Sequence, residues 1–365
     1  MNILFAIRAD YQENIGGDTF QFLFTKKYLE KNYGINIIVI KTPEDIEQYP
    51  NVKVVHVFNM QNRPWTYSFL KKAKECGKKT ILSTIYWDLS DVEYIIKMTR
   101  FSFDVRLWKI FRPFKFAIRR VADVVRRRTK ENIQTFSEYH ELLQLTDMIL
   151  PNSYEEAQVV ERIFGSFDYK IRTVPNAIAP LVDKNSVKDV PAKYKDCILQ
   201  VGRVELVKNQ RTVIQACMDN DIPIVFIGRI NGEKYYESVK ELADKRGNVY
   251  FLGELPQEEI AAYYKAAKVH VLPSFRESPG LVTLEAMYYG CNVVVANEEF
   301  CPIEYYQLDK YGYVCDPFNV NSVRDAILRA YYDESKQYGK EFFEFISYEN
   351  AAKLTYEAYQ EVLNA

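Results

Sequence analysis

Two glutamates, Glu277 and Glu285, stand eight positions apart in the stretch Pro273-Ser-Phe-Arg-Glu-Ser-Pro-Gly-Leu-Val-Thr-Leu-Glu-Ala-Met287. Within it, Ser278-Pro279-Gly280 reads as a helix start, with the serine at the cap and the proline in the first turn. At helical rise, eight residues separate the two carboxylates by roughly 12 Å. A nucleotide sugar has that reach from ribose to hexose. A carboxylate accepts two hydrogen bonds and a ribose cis-diol donates two, so Glu285 suits the ribose and Glu277 the sugar. The backbone N–H groups of Gly280, Leu281 and Val282, at the helix N-terminus, would face phosphate between them. Two glutamates on one helix can also be an ordinary exposed face, but Leu-Val-Thr-Leu-Glu-Ala-Met is too apolar a setting for a solvated Glu285.

Cations to meet a diphosphate lie in a second stretch, Gly202-Arg-Val-Glu-Leu-Val-Lys-Asn209, where Asn209 can cap a following helix. Arg203 and Lys208 would then sit in a strand-to-helix loop. Alone they read equally well as solvated charges. A third stretch, Asn14-Ile-Gly-Gly-Asp-Thr19, places Gly16 and Gly17 ahead of a helix, where backbone can approach a phosphate or sugar, or simply make a tight turn.

The elements that must hold these residues are short apolar runs alternating with amphipathic stretches. That is the pattern of parallel sheets flanked by helices. The first series of strand runs is Asn2–Ile7, Ile35–Ile40, Val52–Phe58, Thr80–Thr84 and Asp147–Leu150, with helical periods at Phe20–Lys31 and Trp65–Cys76. The second is Cys197–Val201, Pro223–Ile227, Asn248–Leu252, Lys268–Leu272, Cys291–Ala296 and Tyr313–Cys315, with helices at Gln257–Ala266 and Val320–Tyr332. Two such series in 365 residues mean two doubly wound, Rossmann-like α/β domains, with ligands expected beyond the C-terminal strand ends. The domains are expected at 1–180 and 181–345, with 346–365 as a C-terminal helix. Asp219-Asn-Asp221 matches a DxD metal motif superficially, but it falls between a helix and a strand and reads as a turn.

Composition narrows the classes. Six scattered cysteines without a CxxC pair, and three histidines, speak against structural zinc or a disulfide framework and suit a reducing cytosol. No run of 18 apolar residues is present, so a membrane-spanning helix is not expected. Residues 1–180 hold 27 Lys and Arg against 21 Asp and Glu, so the first half is basic and the second acidic.

The excess sits in 97–131, an apparent insertion with twelve Lys and Arg, three acids and six aromatic residues. At 3.6 residues per turn, Phe114, Ala117, Ile118, Val121, Ala122, Val124 and Val125 share one face. Arg119, Arg120, Arg126 and Arg127 lie on the other, followed by Arg128. A basic amphipathic helix of this kind suits an anionic membrane surface or an acceptor's phosphates. It also suits ordinary packing on the first domain. Basic residues interleaved with aromatics can bind nucleic acid too. That reading leaves the second domain's constellation unexplained, and nucleic acid is not the expected partner.

Glu277 and Glu285 with seven residues between them, followed by Ala-Met, resemble the EX7E motif of family 4 retaining glycosyltransferases, which have the GT-B fold. Val201–Asn209 is similar to that family's diphosphate-binding segment. Asn248–Pro256, with Leu252 and Gly253, resembles the stretch against the nucleotide base. Asp147–Ser153 and Val174–Ala177 look like the end of the first domain and the entry to the second, and the final helix like the tail that crosses back. The family's His-Asp pair beside the donor sugar is replaced by Trp87-Asp88, and its Gly-Phe-Gly by Ser278-Pro279-Gly280.

The resemblance implies transfer of a sugar, with retention, from a UDP- or GDP-linked donor to a glycan or lipid-linked acceptor. Trp87 and Asp88 become candidate sugar or acceptor contacts. Arg203 and Lys208, helped by helix N-termini near Gly17 and Gly280, would stabilise the leaving phosphate, with no metal and no further cofactor. An epimerase or inverting transferase of the same fold is the alternative. The expected place is the cytoplasm, peripheral on the inner face of the membrane.

Overall fold

The structure, a computed structural model, describes residues 1–8, 11, 13, 17–87, 130–179, 182–334 and 336–365. Arg119, Arg120, Arg126, Arg127, Arg128, Gly16 and Asp88 lie outside the described residues, as does almost all of the 97–131 stretch.

The described chain forms two compact units, one from residues before Ile178 and after Phe343, the other from Ile178–Phe343. In the first, β1 (Asn2–Ala6), α1 (Gly17–Tyr33), β2 (Asn36–Ile40), β3 (Val54–Phe58), α2 (Arg63–Glu75) and β4 (Lys79–Ser83) come in order. After the undescribed stretch follow α3 (Lys130–Gln144), β5 (Met148–Ile149), α4 (Tyr154–Phe164) and β6 (Lys170–Ile171). All neighbours are parallel, in the order β2-β1-β3-β4-β5-β6.

The strand runs are predominantly apolar because helices cover both faces of the sheet. On one face Leu4, Val55, Val57, Leu82 and Ile149 pack against Phe69 and Leu70 of α2 and Val160 of α4. On the other, Ile3, Phe5, Val54 and Ile81 meet Phe22 and Leu29 of α1.

The second unit runs β7 (Ile198–Val201), α5 (Gln210–Ala216), β8 (Ile224–Ile227), α6 (Glu233–Arg246), β9 (Val249–Phe251), α7 (Gln257–Ala266) and β10 (Val269–Leu272). It continues through α8 (Leu281–Tyr289), β11 (Asn292–Ala296), α9 (Leu308–Tyr311), β12 (Tyr313–Cys315) and α10 (Val320–Tyr332), and α11 (Lys340–Phe345) spans its boundary with the first unit. Its parallel order is β12-β11-β10-β7-β8-β9. The chain thus winds outward from β7 in one direction, then returns to start the other side at β10. Strand order reverses at the β7–β10 junction, where open α/β sheets bind ligands.

The last helix, α12 (Tyr348–Leu363), belongs to the first unit and packs beside α1. Its Ala352, Ala358, Tyr359 and Val362 join the β1 face of the core. Tyr356 stacks on Tyr33 with centroids 4.4 Å apart. The Tyr359 hydroxyl meets His56 Nδ1 at 2.8 Å, and His56 Nε2 meets Ser83 Oγ at 2.9 Å. Burial pushes the His56 pKa down to about 3, so the ring stays neutral and serves as a polar bolt between helix and sheet.

Both strand series match the sequence reading to within one or two residues at each end. β6 was not expected: two residues carry no periodicity of their own. Asp219–Asp221 is a turn region, where Arg246 donates to the backbone oxygens of Asn220 and Ile222 and Arg324 pairs with Asp219 at 3.0 Å.

Candidate active site at the β7–β10 junction

The loop after β7 is locked by backbone approach. Gly202 and Gly228 have φ of 144° and 145°, and a Cβ added to Gly228 would stand 2.1 Å from Gly202 O. The β8 loop in turn reaches the β9 loop, Gly228 N donating to Gly253 O at 2.7 Å. Leu252 and Gly253 are therefore tied, through Gly228, to the loop that carries Arg203.

Lys208 closes a short 3₁₀ turn, Leu206–Lys208. Its carbonyl accepts from Gln200 Nε2 at 2.6 Å, and its ammonium pairs with the Glu277 carboxylate. Glu277 is 8% exposed, and its N–H donates to Phe300 O at 2.7 Å, so the loop after β10 is fixed to the one after β11. Arg203 does not join this pair. It is half exposed and bonds Glu205 at 3.0 Å.

Asn209 occupies the first position before α5, but its side chain does not cap that helix. With φ of 59° it turns its amide away, donating to Pro273 O at 3.0 Å and Pro317 O at 2.9 Å. The expected cap is thus a clamp joining the loops that follow β7, β10 and β12. Asparagine tolerates the left-handed backbone that the turn needs.

The second helix start also differs. α8 begins at Leu281, with Gly280 before it at φ 89°, while Ser278 and Pro279 lie in the preceding turn. A Cβ on Gly280 would meet Leu272 Cδ2 at 2.9 Å and Glu277 Oε2 at 3.1 Å, which leaves room for glycine alone. Helical rise therefore does not apply between Glu277 and Gly280, and the separation of the glutamates is not a count along one helix.

Glu285 lies in the middle of α8, accepting from Gln257 Nε2 at 3.0 Å and the Tyr264 hydroxyl at 3.1 Å. Burial pushes its pKa up to about 7, against the pull of these two donors. Several buried side chains at this edge keep unspent hydrogen-bonding capacity. They include Gln200 Oε1, Ser274 Oγ, Thr283 Oγ1 and Asn297 Oδ1.

In the first unit, Gly17 opens α1, and Thr19 Oγ1 two residues on donates to Tyr11 O at 3.1 Å. Trp87, in the loop after β4, is 5% exposed and presents little ring surface. That loop is anchored by a residue the sequence reading passed over. The fully buried Glu156 accepts from the Thr84 hydroxyl, from Tyr86 N at 2.6 Å and from Asn152 N at 2.7 Å. Its pKa, too, is raised by burial, to about 7. The available signal was a Ser153-x-x-Glu156 capping pattern, in which the carboxylate reaches past its own helix to the β4 loop.

Among the described residues no group of three His, Cys, Asp or Glu side chains could hold a metal ion. No described helix is long and apolar enough to cross a membrane.

Residues 182–342 match the family model described as "Glycosyl transferases group 1". This segment is similar to the glycosyl transferases group 1 domain. It contains every element of the β7–β10 junction. The chain is also 29% identical over 186 residues to O-antigen chain mannosyltransferase B of Escherichia coli, covering 48% of this chain and 46% of that protein. The chain thus spans less than half the length of that relative.

Among solved structures it superposes on sucrose-phosphate synthase from Thermosynechococcus elongatus with a TM-score of 0.70, at 15% identity, covering 100% and 99% of the two chains. An Anabaena protein solved in complex with UDP matches with a TM-score of 0.63 at 11% identity, over 100% of both chains. At such identities the likeness is one of fold, and the fold is GT-B.

Proposed function

We propose that the protein is a retaining glycosyltransferase that moves a sugar from a nucleoside diphosphate onto a glycan or lipid-linked acceptor of the cell envelope, without a metal. The observation that carries this reading is the Lys208–Glu277 pair at the strand-order reversal of the domain similar to group 1. An incoming diphosphate competes with Glu277 for the Lys208 ammonium. The carboxylate so released is free to accept hydroxyls of the sugar.

Arg203, half exposed beside Glu205, is the second cation available to the phosphates, and the N-terminus of α8 adds unpaired backbone N–H groups. Cleavage of the sugar–phosphate bond builds charge on the leaving oxygen, where these groups act. Retention follows from front-face attack, with the departing phosphate accepting the acceptor's proton. Leu252 and Gly253 contribute from the base side. UDP- and GDP-sugars are the donors to try first. The acceptor class is supported by the basic 97–131 stretch and by the likeness to the O-antigen chain mannosyltransferase of E. coli.

A donor screen tests the reading. Purified protein is given UDP- and GDP-linked hexoses, and released nucleoside diphosphate is measured, with the anomeric configuration of the product read by NMR. Release of neither diphosphate from any donor, with an acceptor extract present, would overturn it. An inverted product would move it to the alternative class.

A further inference from the structure

Glu285 is held by two side chains of the preceding helix, and one of them is itself held. Tyr264 is 2% exposed and gives its hydroxyl hydrogen to Glu285 Oε2 at 3.1 Å. Its ring lies parallel to that of Tyr289, centroids 5.8 Å apart and planes 8° from parallel. The Tyr289 hydroxyl donates to Val182 O at 3.0 Å, tying this second ring to the backbone by which the chain enters the unit. His270 lies edge-on to Tyr264 from β10, and the Tyr264 carbonyl accepts the Cys291 thiol at 2.9 Å. Tyr264 therefore has contacts on several sides and a single polar target.

A carboxylate has about four lone-pair sites. Gln257 takes one on Oε1 and Tyr264 one on Oε2, which leaves one on each oxygen. Two remaining acceptors side by side match the two donors of a cis-diol. A free glutamate would have to lose its side-chain rotational freedom on binding such a ligand. Here that ordering is already done.

We propose that Tyr264 is a positioning residue for Glu285, and that with Tyr289 and Val182 it presets the carboxylate for the ribose diol of the nucleotide. The second half rests on the reading of Glu285 in the proposed function. The first half does not, since it concerns only how the carboxylate is held.

Tyr264→Phe keeps the ring and its stacking and removes only the hydroxyl. Two measurements separate the two halves. In the first, the carboxyl band of Glu285 is titrated by infrared difference spectroscopy, with Glu285→Gln to assign it. The Tyr264 hydrogen bond favours the carboxylate, so its loss should raise the Glu285 pKa above about 7. Burial holds the hydroxyls of Tyr264 and Tyr289 and the Cys291 thiol above their ordinary ranges, so none of them titrates in that window.

In the second, calorimetry compares UDP and GDP with their 2′,3′-dideoxy forms. Tyr264→Phe should weaken the ribonucleotide about tenfold and leave the dideoxy form unchanged. Tyr289→Phe should show the same preference at smaller size. An unchanged Glu285 pKa in Tyr264→Phe overturns the positioning role. A raised pKa with equal loss for ribo and dideoxy forms retains that role and overturns the assignment of Glu285 to the ribose.

Discussion

Lys208 and Glu277, 69 positions apart in sequence, are paired across the junction of β7 and β10, with 18% and 8% of their side chains exposed. Each comes from a different strand-end loop, so the pair staples the two loops where strand order reverses. Removing one partner leaves a buried charge uncompensated. Lys208→Met should cost about 3 kcal/mol in urea unfolding. The double variant Lys208→Met/Glu277→Leu should recover much of it. Equal losses in single and double variants would show that the pair is not what holds the loops.

Activity should separate from that stability effect. Arg203→Ala is expected to lower donor turnover at least about a hundredfold, the scale of a lost charge-stabilising group. Its half-exposed side chain contributes little to folding, so the unfolding curve should barely move. Normal diphosphate release by this variant would remove Arg203 from the site.

Gly228 tests the backbone contact beneath the site. Gly228→Ala forces a Cβ into the space of Gly202 O and should destabilise the protein by about 4 kcal/mol or more. Gly247, at φ 72° with open space around it, serves as the control. Gly247→Ala should cost only about 1 kcal/mol, from backbone strain alone. Similar melting temperatures for the two variants would contradict the close approach.

Glu285 gives stability and ligand binding opposite pH dependences. Its folded pKa of about 7 stands above its ordinary value, so its contribution to stability is full below the ordinary carboxylate range and is lost as pH rises through about 7. Unfolding midpoints should therefore fall between pH 5 and pH 8, less steeply in Glu285→Gln. If Glu285 accepts the ribose diol as proposed, nucleoside diphosphate affinity should rise over the same interval, because that contact uses the carboxylate as acceptor. Glu156, also near 7, supplies a similar stability slope that Glu285→Gln does not remove.

Metal independence and membrane docking each have a direct test. Transfer should persist in excess EDTA, and a complete loss restored by magnesium or manganese would refute the metal-free reading. The protein should float with anionic but not neutral liposomes. Glu substitutions at Arg119, Arg120, Arg126, Arg127 and Arg128 should abolish that flotation. Absence of flotation at low salt would leave the 97–131 stretch as ordinary structure.

The sequence by itself determined the two α/β series, because buried parallel strands leave apolar runs such as Ile224–Ile227 and residues 293–296 that need no partner to be recognised. It also placed Arg203, Lys208, Glu277 and Glu285 at the loops and helix that form the second unit's C-terminal edge. Only the tertiary structure decided what those residues touch. Lys208 pairs with Glu277 because β7 and β10, in register at Val269↔Ile198 and His270↔Leu199 across 71 positions of sequence, lie side by side in one sheet. Asn209 serves as a clamp because Pro273 and Pro317 are brought to it from loops far along the chain, which no local capping pattern can foretell. Gly280 opens α8 because Leu272 and Glu277 crowd its α-carbon, and Glu285 is preset because Tyr264 is wedged under it by Tyr289. Hydrophobic periodicity is written along the chain, whereas the partner of a polar group depends on which distant loops the sheet places beside it.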